Sequence, residues 1–338
     1  MRYQHSAYIS GNGYSLGKQI VSSTALEGEM GKPDGYIFRR SGIFNRRYVF
    51  PEESNLTLAQ EAAESALSDA GLNRSDLDMI IVNTLSPDYH DPSHSCLLMA
   101  KLGIVGIPSF DIRAQCSGSL YAMDIARQYI SSGQAKNIMI VCSEVLSKRI
   151  DFSGATNNIS MLLGDGAGAF ILSSIEEKQK STPRGIIDLK IRADGNHFDS
   201  LVSQAPGTKG DSFLSIEDIE NGRHHFKMDG QKVFKHAVEC MADVTTEILA
   251  ANNLTVEDVD YLIPHQPNLR LLEAVFNKLK FDISKAYVTV KELGNMASAS
   301  LPVAHALFVE QYGERKGALK LFLTYGSGAT WGACLYRD

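Results

Sequence analysis

Along the chain, short continuous apolar runs alternate with stretches in which apolar residues recur every three or four positions. The runs predict strands buried on both faces, and the spaced stretches predict amphipathic helices. The first strand, Ala7-Tyr8-Ile9-Ser10, ends in the turn residues Gly11, Asn12 and Gly13. Leu58, Ala62, Ala63, Ala66, Leu67 and Ala70 then predict a helix that Gly71 ends, followed by a strand over 79–82. Further strands are predicted at 107–112, 138–142, 170–172, 261–263, 319–325 and 332–335, with helices over 233–251 and 269–279. Residues 176–226 are polar and glycine-rich with weak periodicity, and predict a strand pair with long loops.

The pattern repeats once. Residues 66–82 read helix, cap, acidic turn, buried strand, and residues 248–264 read the same. Gly164-Asp165-Gly166-Ala167 and Gly326-Ser327-Gly328-Ala329 each follow an apolar run and lead into a strand. Two echoes in the same order predict an internal duplication, with halves at 1–174 and 175–338. A solenoid is excluded, because stacked repeats need a shorter period and at least three copies. Buried strands alternating with helices predict an α/β fold.

Composition narrows the class. With 338 residues, 44% hydrophobic and 21% charged, the chain is of globular type and long enough for two domains or two halves of one. A formal net charge of −6 argues against general nucleic-acid binding, which needs a basic footprint. No apolar run reaches membrane-spanning length and no signal-peptide core is present, so no membrane role is expected. Five cysteines without regular spacing predict neither a disulfide framework nor a metal site, and point to a cytoplasmic location.

Three residues stand out chemically. Cys116 follows the apolar run 107–112, flanked by small residues where helical spacing begins. A helix N-terminus favours thiolate over thiol, so its pKa is expected to fall and the residue to act as a nucleophile. Cys96, Cys142, Cys240 and Cys334 read as core residues. His265 ends a buried strand, the end at which α/β sheets collect ligand chemistry. Asn295 follows Gly294 just before a second small-residue helix start, a position comparable to Cys116, where an N-cap is the plain alternative. The other histidines read as surface or helix residues; His90 and His94 have metal-like spacing without further ligands. Arg39, Arg40, Arg46 and Arg47 read either as a solvated basic loop or as an anion site.

Cys116 in Ala-Gln-Cys-Ser-Gly, His265 in Pro-His-Gln-Pro-Asn-Leu-Arg, Asn295 in Gly-Asn-Met-Ala-Ser, Gly164 to Ala169, and the Gly326 to Gly332 ending occur in that order. Together they resemble the β-ketoacyl-acyl-carrier-protein synthase III family of the thiolase superfamily, over nearly the whole chain. The resemblance implies a thiolase-like fold of duplicated αβαβα layers, usually homodimeric. It implies an acyltransferase of fatty acid or related polyketide-type biosynthesis without a cofactor. Cys116 would take an acyl group from a coenzyme A or carrier-protein thioester, its oxyanion held by the backbone N–H groups of Cys116 and Ser327. Malonyl-acyl-carrier protein would then lose carbon dioxide, and His265 and Asn295 would hold the resulting enolate.

By the same resemblance Tyr36, Arg40, Asn157, Met228, Gly230 and Asn268 occupy substrate or coenzyme A positions. Arg270, with Lys232, Lys235, Lys278 and Lys280 as possible neighbours in the patch, receives the acidic carrier. Asp91 and Tyr325 border the acyl pocket. Tyr36 stands where the family commonly has an adenine-stacking tryptophan, and Asn157 where it has an arginine, which weakens stacking on a nucleotide. Asp91 replaces a frequent phenylalanine and argues for a starter other than acetyl. Rival readings are a non-elongating acyltransferase of the same fold, a silent partner subunit, and a papain-like cysteine hydrolase. The last has the same Cys, His, Asn order but lacks the local cysteine signature.

Overall fold

The structure, a computed structural model, describes residues 5–152, 157–176 and 184–338. Its strands in chain order are β1 (His5–Leu16), β2 (Gln19–Ser22), β3 (Asn45–Tyr48), β4 (Met79–Asn83), β5 (Ser109–Ile112), β6 (Asn137–Glu144) and β7 (Gly166–Glu176). They continue as β8 (Gly185–Ala193), β9 (Leu201–Val202), β10 (Lys227–Met228), β11 (Tyr261–Pro264), β12 (Leu319–Gly326) and β13 (Thr330–Arg337).

Two mixed sheets organise the molecule. The first has the order β1-β7-β6-β4-β5 and the second β11-β12-β13-β8. In the first, β4 pairs parallel with β5 and β6, while β7 is antiparallel to both β6 and β1. The second repeats this arrangement: β11 runs parallel to β12, β13 is antiparallel to β12 and β8, and a parallel bridge from Leu262 to Ala286 stands where β5 stands in the first. The expected boundary between residues 174 and 175 falls inside β7, because its pairing with β1 continues to Glu176.

The apolar content of each strand explains its depth. Every residue of β4 and β12 is buried, as continuous runs require when both faces are covered. The helices Gly118–Ser131 and Ser300–Tyr312 lie between the sheets, and one core cluster joins Leu120, Met123, Leu301 and Val303 to Phe170 and Phe322. The helix Asn55–Ala70 covers the outer face of the first sheet, where Leu58, Ala62 and Ala66 meet Ile80 and Ile171. The helices Gly230–Ala251 and Leu269–Leu279 cover the second. Gly71 caps its helix with φ 64°, as the sequence predicts. No helix among the described residues is long and apolar enough to cross a membrane.

Three sequence expectations change. The basic segment is not one solvated loop: it forms the helix Tyr36–Ser41, where Arg39 and Arg40 are exposed, and strand β3, where Arg46 is fully buried. Its guanidinium donates to Ser23 Oγ (3.1 Å) and to the Met161 carbonyl (3.0 Å). Cys142 and Cys334 are core residues, but Cys96 is exposed and Cys240 only half-buried, since each lies on the outward side of its helix. His305 is buried between the sheets, with Nδ1 2.7 Å from Asn12 Oδ1 and Nε2 3.4 Å from the buried Lys320 ammonium. Residues 184–228 contain β8, the short pair β9/β10 and the helix Ile216–Glu220.

Candidate active site

Cys116 is the middle residue of a 3-10 turn, Gln115–Ser117, which runs directly into the helix Gly118–Ser131. Gln115 has φ 52°, a left-handed conformation costly for a residue with a Cβ. The turn is held from the other sheet. Ser117 Oγ donates to the Thr330 carbonyl (2.9 Å), and Thr330 Oγ1 donates to the Ala114 carbonyl (3.1 Å). The end of β12 presses on the same turn: a Cβ at Gly326 would lie 2.8 Å from the Cys116 nitrogen, so this close approach needs glycine.

His265 directly follows β11, and its N–H extends the pairing to the Leu323 carbonyl (2.7 Å). Gln266 fixes the chain beyond it. Its Nε2 donates to the carbonyls of Pro264 and Tyr287 (3.0 Å each), and its Oε1 accepts from Thr289 N (3.0 Å) and Val290 N (3.2 Å). Asn268 caps the following helix by accepting from Leu271 N (2.9 Å).

Asn295 is not a helix N-cap, which is Ala299. Its Oδ1 accepts from Ala297 N at 2.8 Å, closing a small Asx turn. Its backbone bonds Leu162 O (2.8 Å) and Gly164 N (2.9 Å), tying it to the Gly-Asp-Gly segment. With Oδ1 engaged, the amide NH2 is the end free to donate. Nor does Asn295 occupy the position equivalent to Cys116. The second half has its own 3-10 turn, Ala297–Ala299, opened by Ala297 at φ 43° and leading into the helix from Ser300, so Ser298 stands where Cys116 stands.

These elements converge. A cavity of about 80 Å³ is lined by Cys116, His265, Asn295, Asn268 and the Gly326–Ala329 loop, with Met228, Gly230 and Tyr325 around it. The loop is held by reciprocal bonds between Ala329 and Asp194, at 2.7 and 2.9 Å. Other expected residues stay apart. Asp91 is exposed and lines none of this cavity in its own chain. Tyr36 and Arg40 also lie off the cavity wall, the Arg40 guanidinium sitting 4.7 Å over the Tyr36 ring. Arg270 is half-buried one residue into the helix that Asn268 caps; it donates to Glu273 (3.0 Å) and to the Arg39 carbonyl (3.3 Å). The side chain of Asn157 lies outside the described residues.

The electrostatics reverse one expectation. The helix start does not make Cys116 a resting thiolate. Burial pushes its pKa up to about 12, the nearby Glu144 carboxylate adds to this, and a backbone hydrogen bond opposes both. Burial drives His265 the other way, to about 3, against a smaller raising effect of the Ala297 backbone; it is neutral at ordinary pH. Both groups are therefore uncharged before substrate arrives.

Sequence reasoning missed Glu144, His236 and Gln266. Glu144 ends β6 fully buried, accepting from Leu85 N (3.0 Å), Ser86 Oγ (2.9 Å) and Ser298 Oγ (2.7 Å). Burial raises its pKa to about 7 despite these bonds. An acidic residue ending an apolar strand was the available signal. Asp165 of the Gly-Asp-Gly motif is structural: it is buried and accepts from Val49 N (2.9 Å), Leu146 N (2.7 Å) and Ser147 N (2.8 Å). Asp194, His197 and His236 bring three ligand-type atoms within 4.8 Å of one another. The two imidazoles stack 3.8 Å apart at 17°, so their in-plane lone pairs run side by side and do not converge as metal ligation requires.

Two mixed sheets enclosing paired helices, with the cysteine on the turn after β5, the histidine at the end of β11 and the asparagine between the helix Val290–Leu293 and the turn Ala297–Ala299, define the α/β thiolase-like class of condensing enzyme. Comparison with known proteins narrows this. The family described as 3-oxoacyl-[acyl-carrier-protein (ACP)] synthase III matches residues 110–195, and its C-terminal region matches 249–338. The chain is 38% identical over 331 residues to a beta-ketoacyl-[acyl-carrier-protein] synthase III of Allorhizobium ampelinum, covering 97% of this chain and 98% of that protein. It is 36% identical to one of Caldanaerobacter subterraneus, with 98% of each covered. The solved 3-oxoacyl-[acyl-carrier-protein] synthase III of Aquifex aeolicus superposes with a TM-score of 0.87 at 33% identity, covering 98% of this chain and all of that one. The priming β-ketosynthase of the R1128 polyketide pathway superposes with a TM-score of 0.87 at 26% identity, covering all of this chain and 98% of that one. The chain belongs to the β-ketoacyl-[acyl-carrier-protein] synthase III family of acyltransferases.

Proposed function

We propose that this enzyme loads a starter acyl group onto Cys116 from a coenzyme A or carrier-protein thioester and condenses it with malonyl-acyl-carrier protein. The observation that carries this reading is the one cavity in which Cys116, His265 and Asn295 meet. In loading, Sγ attacks the thioester carbonyl while its proton passes to the neutral His265 imidazole. The backbone N–H groups of Cys116 and Ser327 hold the tetrahedral oxyanion, each such donor being worth about 2.7–4 kcal/mol. The donor's C–S bond breaks, and its thiolate leaves with the proton from His265.

Extension follows on the same groups. Loss of carbon dioxide from the malonyl thioester leaves an enolate, whose oxygen receives the Asn295 amide N–H and the remaining His265 N–H. Both donors are uncharged and preorganised, so they favour charge that exists only beyond the ground state. The enolate carbon attacks the acyl-Cys116 carbonyl, the C–S bond to Cys116 breaks, and the thiolate takes up one proton from solvent, the proton that decarboxylation consumes. The chemistry requires no resident cofactor. Asn268, Met228 and Gly230 line the cavity, where the thioester arm would run, and Arg270, one residue into the helix that Asn268 caps, would receive an acidic carrier.

We also propose a cytosolic homodimer. Tyr89, Phe198, Phe213 and Ile216 are exposed, the segment after β4 that holds His90 is joined to the 213 segment by the His90–Phe213 ring contact at 5.0 Å, and β5 is a sheet edge open on one side. All five cysteines are free, which suits a reducing compartment.

Intact-mass analysis tests the catalytic reading. Wild-type protein gains one acyl group from an acyl thioester and Cys116→Ala gains none; an adduct retained by that variant removes the nucleophile assignment. Asn295→Ala still acylates but releases carbon dioxide from malonyl-carrier protein about 100-fold more slowly, the loss typical of one oxyanion donor. Unchanged release takes Asn295 out of the mechanism.

A further inference from the structure

Beyond Cys116, the cavity wall is not uniformly apolar. Ile159, Leu162, Leu201 and Val233 supply aliphatic surface, but His197, Ser200 and Tyr325 also line it. These three form one polar spot. His197 and Ser200 lie one turn apart, joined by the Ser200 N–H to the His197 carbonyl at 3.1 Å. The His197 ring stacks on His236 at 3.8 Å, and His236 Nδ1 lies 2.8 Å from the Tyr325 hydroxyl. Tyr325 precedes Gly326, the residue pressed against Cys116, so the spot begins next to the reacting sulfur.

The spot has unused hydrogen-bonding capacity. Ser200 is 5% exposed and its Oγ has no protein partner. Tyr325 makes one bond through a hydroxyl that supports up to three. A buried hydroxyl left without a partner keeps its desolvation cost. A chain that offers an oxygen relieves that cost. Charge is constrained as well: no Lys, Arg, Asp or Glu lines the cavity among the described residues, and burial with the neighbouring His197 keeps His236 towards its neutral form. A carboxylate or ammonium on the chain would find no lysine, arginine or carboxylate partner on the wall.

We propose that the starter is a short acyl group carrying a neutral oxygen function, a hydroxyl or a ketone, which Ser200 and Tyr325 hold at the wall of the cavity. A cavity of about 80 Å³ holds a short chain, and the adjacency of Tyr325 to the glycine pressed against Cys116 places the oxygen within the first few carbons beyond the carbonyl. His236 acts through Tyr325, fixing the direction of its hydroxyl, and His197 braces His236 by stacking. The proposal deepens the reading of Cys116 as acyl acceptor and rests on it.

The test compares butyryl-, 3-hydroxybutyryl- and 3-oxobutyryl-coenzyme A as donors, reading the rate of mass gain at Cys116 in the full-length protein. Either oxygenated chain is expected to label at least 10-fold faster than butyryl. Ser200→Ala and Tyr325→Phe, each checked for wild-type circular dichroism, are expected to bring that ratio towards one. A general packing defect slows all donors and leaves the ratio as it is, so a ratio that survives both substitutions overturns the proposal. So does a wild-type enzyme that labels with butyryl as fast as with the oxygenated chains, which would mean that the spot is satisfied by water alone. Failure of every donor to label Cys116 instead overturns the acyl-acceptor reading and this inference with it.

Discussion

At the scale of single residues, the site is governed by uncharged groups kept so by burial. Glu144 is the exception that titrates near neutrality. Its carboxyl reaches the loop after β4 through Leu85 and Ser86 and the second half through Ser298. It also raises the Cys116 pKa. Glu144→Gln is therefore expected to move the pH profile of Cys116 alkylation by iodoacetamide to lower pH. An unmoved profile would show that the carboxylate does not reach the thiol. Stability follows the same group. Its folded pKa, about 7, lies above the ordinary value of 4.5, so its contribution is complete below pH 4.5 and lost as pH rises through 7. The Tm difference between Glu144→Gln and wild type should thus grow in the variant's favour from pH 5 to pH 8. His265, lowered to about 3, should contribute no titration to decarboxylation over the same range.

At the scale of elements, the catalytic groups are placed by turns at element ends. Gly326 lets the end of β12 touch the Cys116 turn, where an added Cβ meets the Cys116 nitrogen at 2.8 Å. Gly326→Ala should displace the nucleophile by tenths of an ångström and slow acyl capture about 10- to 100-fold, and should lower Tm because the added Cβ meets backbone. Stopped-flow or quenched labelling measures this, and wild-type rates would mean that the turn relocates freely. The helix Leu269–Leu279 carries Arg270 at its first turn, braced by Glu273. Arg270→Ala should raise KM for malonyl-carrier protein several-fold while leaving loading from coenzyme A unchanged. Equal effects on both steps would place Arg270 in the thioester channel instead of at the carrier contact.

At the scale of the molecule, the exposed apolar group around Phe213 and Ile216 and the bare edge of β5 are the surface on which the proposed homodimer would close. Sedimentation should give twice the chain mass, and the double substitution Phe213→Asp with Ile216→Asp should shift it towards the single mass. A monomeric wild-type protein would leave that surface without its proposed occupant.

Much of the fold was legible because strands buried on both faces read as unbroken apolar runs and helices as spaced ones. The helix Leu269–Leu279 and the one ended by Gly71 came directly from that periodicity. Cys116, His265 and Asn295 were legible as candidates because each stands at an element end, Cys116 and Asn295 beside small residues as well. What their neighbours do to them was not. Whether Cys116 is thiol or thiolate depends on burial by chain that lies hundreds of residues away. Arg46 read as a surface charge because its partners, Ser23 and Met161, come from separate segments. The stacking of His197 on His236 and the bond to Tyr325 join positions far apart in sequence, with no local pattern to announce them. Periodicity and residue chemistry are properties of neighbours along the chain, and they determined the elements and the reacting groups. Protonation, orientation and the polarity of the acyl cavity are properties of neighbours in space, and only the packing of the two sheets decided them.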